Sequence, residues 1–307
     1  MGLGSQTAER ARVGMSEVLT RAEETRRTAL AKVRAGEVDE ALEMYDAALA
    51  LADDEEAREL ITINKADAMI AVERSGPEVQ TLPTIVMRRR NLRHVYLAAY
   101  ALVFKYRMER ELKRAAFYGQ LALQTAEEAN EPLWKIGALN ELGSIYDIDS
   151  KFAQAIECGE QALALIEQLQ NREEHTLVYS LALENLGASK LLNDQFGEGI
   201  ALIEKALPAI ASPMLKAEAY IDLCFGYLGL ENLERAWQHG QAGLDVATES
   251  RQIRNAHYLL GEVAYKMGNI ELAEFHFDKL AAFYPDFRHL KSLLFAIDLR
   301  SMVNLKL

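Results

Sequence analysis

The chain has 307 residues, half of them apolar, with 34 basic and 46 acidic side chains and a formal net charge of -12. That mixture supports a packed core and excludes a disordered chain, and the acidic surplus argues against general nucleic-acid binding. No apolar run approaches the roughly 20 residues that span a bilayer, so no membrane partner is expected.

MGLGSQTAERAR, residues 1–12, lacks the apolar stretch of a secretory signal, and Gln6 stands where a myristoylation signal needs Ser or Thr. Cytoplasmic residence is the expectation. Cys158 and Cys224 have no paired spacing, which predicts buried thiols rather than a disulfide framework or a zinc site. Runs of alternating β-branched residues are nearly absent, and apolar residues recur at helical spacing throughout, so the protein reads as all-α. Its six prolines are expected to fall between helical stretches.

In chain order, the first helical pair is ALAKVRAGEVDEALEMYDAAL, with Ala29, Gly36, Ala41, Tyr45 and Ala48. LITINKADAMIAVERSG reads as a degenerate pair, and SGPEVQTLPT, residues 75–84, as a hinge. Residues 84–108 predict one long helix with Leu92, Val95, Tyr96, Ala99, Leu102, Val103 and Tyr106 as its core stripe. Ala115 and Ala122 follow in its partner. ELGSIYDIDSKFAQAIECGEQAL supplies Leu142, Gly143, Tyr146, Ala155 and Ala162. NLGASKLLNDQFGEGIALIEKAL supplies Leu186, Gly187, Gly199 and Ala206. DLCFGYLGLENLERAWQHGQAGL supplies Leu223, Tyr227, Ala236 and Gly243. Units placed at 22, 96, 136, 180, 217 and 254 are separated by 74, 40, 44, 37 and 37 residues, and the first interval leaves room for one more.

The last unit, YLLGEVAYKMGNIELAEFHFDKLAAFYPDF at 258–287, has Leu260, Gly261, Gly268, Ala273, Phe277 and Pro285. It resembles a tetratricopeptide repeat, with small residues where two helices touch and a large one where they interlock. The intervals exceed the roughly 34 residues of the minimal repeat, so longer helices or loops are expected. The resemblance implies an all-α, right-handed superhelical α-solenoid of about six to seven helix pairs with a C-terminal capping helix. It divides the chain into an N-terminal helical region at 1–84 with a degenerate repeat, a superhelix at 85–288, and a helix at 289–307. That helix, DFRHLKSLLFAIDLRSMVNLKL with its preceding residues, is apolar over most of its circumference, which suits a cap or a homodimer surface.

Nothing is built like an active site: there is no phosphate-cradling loop, GxSxG elbow or HExxH pair, and the six histidines are scattered. No enzyme, cofactor or metal is expected. The resemblance implies instead a scaffold that binds a peptide or protein segment in the groove lined by the first helix of each pair. In that frame Asn140, Glu141, Ser144, Asp147, Glu184, Asn185, Glu218, Asp222, Phe225, Asn255, Tyr258, Glu262 and Tyr265 face inward. Asn offers a donor and an acceptor to a peptide backbone, although Asn140, Asn185 and Asn255 equally suit caps and helix contacts. The carboxylates suit a basic segment and the aromatics apolar anchors.

The one basic stretch, residues 85–115, carries 9 basic and 2 acidic side chains. At 100° per residue Arg89, Arg93, Tyr100, Phe104 and Arg107 share a stripe that could hold an anion, while DDEEARE at 53–59 could neutralise the same arginines internally. A sensor of a signal peptide or small anionic ligand, resembling bacterial peptide-pheromone receptors, is the alternative to a scaffold, and a self-associating structural subunit is a third.

Overall fold

The computed structural model describes residues 21–169, 172–284, 286–295 and 306, without the side chains of residues 172, 173 and 288–290. Expectations for the first twenty residues, for Pro285, and for most of the C-terminal helix at 289–307 lie outside this set. The helices are α1 (residues 21–34), α2 (Val38–Leu51), α3 (Glu55–Ala71), α4 (Pro77–Arg88), α5 (Leu92–Met108), α6 (Leu112–Glu128), α7 (Pro132–Ile148), α8 (Phe152–Glu167), α9 (Thr176–Leu192), α10 (Phe196–Ala206), α11 (Pro213–Gly229), α12 (Leu233–Val246), α13 (Ser250–Lys266), α14 (Ile270–Lys279) and α15 (Phe287–Leu294). No strand occurs among the described residues. The chain divides into two compact units, one ending at Ala138 and one beginning at Leu139.

Helices α1 to α14 form seven consecutive pairs among the described residues, α3 and α4 filling the place of the degenerate repeat. Each pair turns through one residue in the left-handed region: Gly36, Glu73, Arg110, Ser150, Asp194, Glu231 and Gly268. The turns close as Schellman motifs, for example Asn232 N donating to Tyr227 O and Glu231 N to Leu228 O. Five of these seven residues are not glycine, each at a cost of about 1–2 kcal/mol that the packed pair must offset. The 44-residue interval between the units at 136 and 180 contains an inserted 3-10 turn at Arg172–His175.

Small residues set the approach of the two helices. Ala41, Ala115, Ala155, Ala236 and Ala273 are all buried in second helices. A Cβ on Gly261 would stand 2.3 Å from the Phe277 ring, and one on Gly187 would stand 2.9 Å from the Gly199 carbonyl oxygen, so these crossings require glycine. First helices of successive pairs pack side by side, α3 with α5, α9 with α11, and α11 with α13. Cys158 and Cys224 are buried free thiols, as expected, and burial pushes the Cys158 thiol up to about 11.

Three local expectations fail, one of them that every proline falls between helices, since Pro83 lies inside α4. Residues 84–108 are not one helix: Arg89, at φ 47°, ends α4, and the Asn91 side chain caps α5 by accepting from the backbone N–H groups of Arg93 and His94. Residues 77–84 are helical rather than a hinge, with Pro77 at the permissive first position and Pro83 inside α4. At the other end, α15 begins the expected cap. Phe287 and Leu294 are buried, and the Phe295 ring lies edge-on to Phe277 and Tyr265 at centroid distances of 5.3 and 5.4 Å.

Candidate functional site

The repeat frame places a row of carboxyl groups on the first helices of the second unit, and most of them are buried. Asp147 on α7, Glu184 on α9, Asp222 on α11 and Glu262 on α13 are 3%, 6%, 4% and 2% exposed. Carboxylates this deep require compensation by hydrogen bonds, cations or protons. Each device is present. Ser189 donates its hydroxyl to Asp147 Oδ2 at 2.7 Å, yet burial still pushes Asp147 up to about 7. Burial pushes Glu184 up to about 8 against the pull of Lys306, with Asp222 and Glu218 reinforcing the shift.

Glu218, one turn before Asp222 on α11, is treated differently. Burial raises it, but Lys306 and Arg251 outweigh burial and hold it below the usual carboxylate range. Arg251 donates to both Glu218 oxygens. The Gln252 amide donates to Glu218 Oε1 at 2.8 Å and to the Met214 carbonyl oxygen at 2.9 Å, while its own oxygen accepts from the backbone N–H groups of Thr248 and Glu249. Gln252 is fully buried, and this capping arrangement begins α13.

The cation at the centre is Lys306. Its Nζ is 2.9 Å from Asp222 Oδ2 and 4.0 Å from Glu218 Oε2, and its side chain is 19% exposed. Burial works against its charge, but the combined field of Asp222, Glu184 and Glu218 raises its pKa above the ordinary lysine value.

Two buried acceptors on these helices have no hydrogen-bond partner among the described residues: Asn140 Oδ1 and Glu184 Oε1. Asn140 lies seven residues before Asp147, two helical turns along the same face of α7. The other expected amides differ. Asn255 is buried with its side-chain oxygen accepting from Arg254 Nε and Nη2, and Asn185 is half-buried, with only its backbone carbonyl oxygen accepting from the Ser189 hydroxyl. Glu141 and Ser144 are half-buried. Phe225 sits in the core, edge-on to Phe196, and Tyr258 also belongs to the core cluster. Tyr265 is 37% exposed and donates to the Phe295 carbonyl oxygen at 3.1 Å.

The arginine stripe does not assemble in the first unit, because the helix break takes Arg89 out of register. Arg89 pairs with Glu128, and residues 53–59 engage Arg90 through Glu55, Asn91 through Glu56 and His94 through Glu59. The acidic stretch therefore turns to the neighbours of the expected arginines. Arg93 is exposed, Tyr100 stands 5.7 Å from Tyr96, and Arg107 lies over the Phe104 ring at 5.3 Å. A cavity of about 300 Å³ opens elsewhere in this unit beside Ile70, Arg74, Val79, Lys105 and Met108, and includes none of the expected site residues. Its cations already have partners, Arg74 with Asp39 and Lys105 with Glu109.

Sequence reasoning missed Ser189, Arg251, Gln252 and Lys306. Gln252 carried half a signal, since a glutamine at the third helical position marks a helix start when Ser, Thr, Asp or Asn precedes it by three, and Glu249 stands there instead. Lys306 carried none, because it lies beyond the last repeat.

No protein-family model matches the chain, and no curated protein matches it. Solved structures do. A Rap protein complexed with competence and sporulation factor is similar over 89% of this chain and 80% of its own, with 14% identity and a TM-score of 0.65. NprR in complex with its cognate peptide NprX is similar over 89% and 82%, with 14% identity and a TM-score of 0.65. A signal transduction ATPase from Pyrococcus horikoshii, with a tetratricopeptide repeat sensor, is similar over 92% of this chain but 45% of its own, at 16% identity and a TM-score of 0.67. The fold is thus the tetratricopeptide-like array of helix pairs, as the repeat spacing implied. Among the described residues no helix is long and apolar enough to cross a membrane.

Proposed function

We propose that this protein is a non-catalytic scaffold that holds a basic peptide or protein segment against the first helices of its second unit. The observation that carries the reading is the pair of buried acceptors without a donor, Asn140 Oδ1 and Glu184 Oε1, on the face that also bears Asp147, Glu218 and Asp222. A buried acceptor left open costs about 1–3 kcal/mol, and a peptide supplies the missing partners: a backbone N–H for the Asn140 amide oxygen, and a cationic side chain for Glu184, whose proton leaves as the cation arrives. The surplus of carboxyl groups selects against anionic ligands and favours basic segments through both affinity and encounter rate.

A second reading is signal-peptide sensing. It is favoured by the similarity to NprR, crystallised with its cognate peptide, and to a Rap protein complexed with competence and sporulation factor.

Panning randomised twelve-residue peptides against the full chain tests the assignment. Lysine-containing or arginine-containing sequences should be enriched, and Asn140→Ala combined with Glu184→Gln should weaken the best binder by about tenfold or more, as loss of two buried hydrogen bonds implies. Binders that ignore both substitutions would move the site elsewhere.

A further inference from the structure

The charge around Lys306 does not resemble an ordinary surface ion pair. Four acidic groups, Asp147, Glu184, Glu218 and Asp222, come from three successive first helices, and Lys306 comes from outside all seven helix pairs. Its Nζ contacts Asp222 at 2.9 Å and lies 4.0 Å from Glu218. Glu184 is buried beside it with Oε1 still open. Among the described residues, the charged groups that act on it are Glu184 on α9 and Glu218 and Asp222 on α11, with Asp147 on α7 in its field; Arg251 on α13 is engaged by Glu218.

We propose that these carboxyl groups form a seat for a primary ammonium, that Lys306 fills the seat from within the chain, and that a peptide ligand enters by exchanging its own lysine ammonium for that of Lys306. The inference rests on the peptide-binding reading above and specifies both its cation and its internal competitor.

The chemistry favours ammonium over guanidinium. A lysine head is a compact point charge with three rotatable donors, which suits carboxylates arriving from separate helices, whereas a guanidinium presents a flat fork suited to one carboxylate edge. Glu218 illustrates the division, since Arg251 bonds both of its oxygens while Lys306 spans Asp222 and Glu218. An internal occupant removes the cost of an empty acidic hollow, and any ligand then binds with an apparent affinity reduced by the fraction of molecules in which Lys306 is seated.

Chemical rescue of Lys306→Ala in the full chain tests the seat. The variant should melt about 5 °C below the parent at pH 7, and n-butylammonium chloride should recover more than half of that loss where sodium chloride or tetramethylammonium chloride of equal ionic strength does not. A variant that melts like the parent, or butylammonium no better than sodium, would overturn the seat. Should the variant not fold, trace acetylation of the parent with mass-spectrometric readout decides the matter: Lys306 should react at least tenfold more slowly than exposed Lys113, and equal labelling rejects the seat.

The exchange is read separately, with the best peptide from the panning. Lys306 should become reactive in the complex, and replacing the peptide's lysine by norleucine should restore its protection. A bound peptide that leaves Lys306 protected would overturn the exchange while the peptide-binding reading stands. A protected and rescuable Lys306 in a chain that captures no peptide would overturn the peptide reading and the exchange together, leaving the seat.

Discussion

The two units handle charge in opposite ways on the same helical scaffold. In the first, each cation sits on its own acids at or near the surface: Arg90 with Glu55, Arg89 with Glu128, and Lys65 with both Asp46 and Glu78. In the second, among the described residues, Asp147, Glu184 and Asp222 are buried on successive first helices, with Lys306 set on Asp222 and Arg251 on Glu218. The repeat fixes where side chains point, but it leaves open whether a polar face is neutralised or held charged. A neutralised face adds little stability and offers little to a ligand. A face with buried, incompletely compensated acids is kept at a cost, and cost of that kind concentrates where binding occurs.

The contrast breaks most sharply on removal of one member of each kind of pair. Asp222→Ala leaves Lys306 without its nearest counter-charge in a buried setting and should destabilise the protein by about 3 kcal/mol in denaturant unfolding. A loss below about 1 kcal/mol would mean that the second unit's acids are no more committed than those of the first.

Acidity sharpens the comparison next. Glu184, raised by burial from 4.5 to about 8, holds a proton in the folded chain across pH values where the unfolded chain has released it. Its contribution is therefore full below about pH 4.5 and is lost as pH rises through 8. Glu23 in the first unit is the reverse case. Hydrogen bonding from Arg26 lowers it to about 2, against burial, so its contribution is present above pH 4.5 and is lost as pH falls through 2. Hydrogen exchange, corrected for its intrinsic pH dependence, should show protection in the second unit weakening between pH 5 and 8, and Glu184→Gln should flatten that decline. An unchanged slope in the variant would remove Glu184 as its source.

The smallest expected effect completes the series. Glu55→Ala opens an ion pair with Arg90 whose side chains are 74% and 55% exposed, and should cost less than about 0.5 kcal/mol in the same unfolding experiment. A larger loss would make the first unit's charges structural too.

Much of this was legible in the residues. Ala41, Ala155, Ala273 and Gly261 mark helix contacts by size alone, and the repeat frame built on them places Asp147, Glu184 and Asp222 on first helices. Depth was not legible, because a frame gives direction and not the height of neighbouring walls. Phe225, expected in the groove, is core for that reason. The break at Arg89 was lost in a run of apolar and basic residues that fit helical spacing on both sides, although Asn91 is a good cap. Five turns without glycine removed the residue by which such turns are read, while the left-handed geometry persisted.

Gln252 joins two processes that are ordinarily separate. With one end it starts α13, and with the other it steadies Glu218. Unwinding of the first turn of α13 would take from Glu218 an amide donor and the guanidinium of Arg251 together, so opening this helix start would also rewrite the charge beside Asp222 and Lys306.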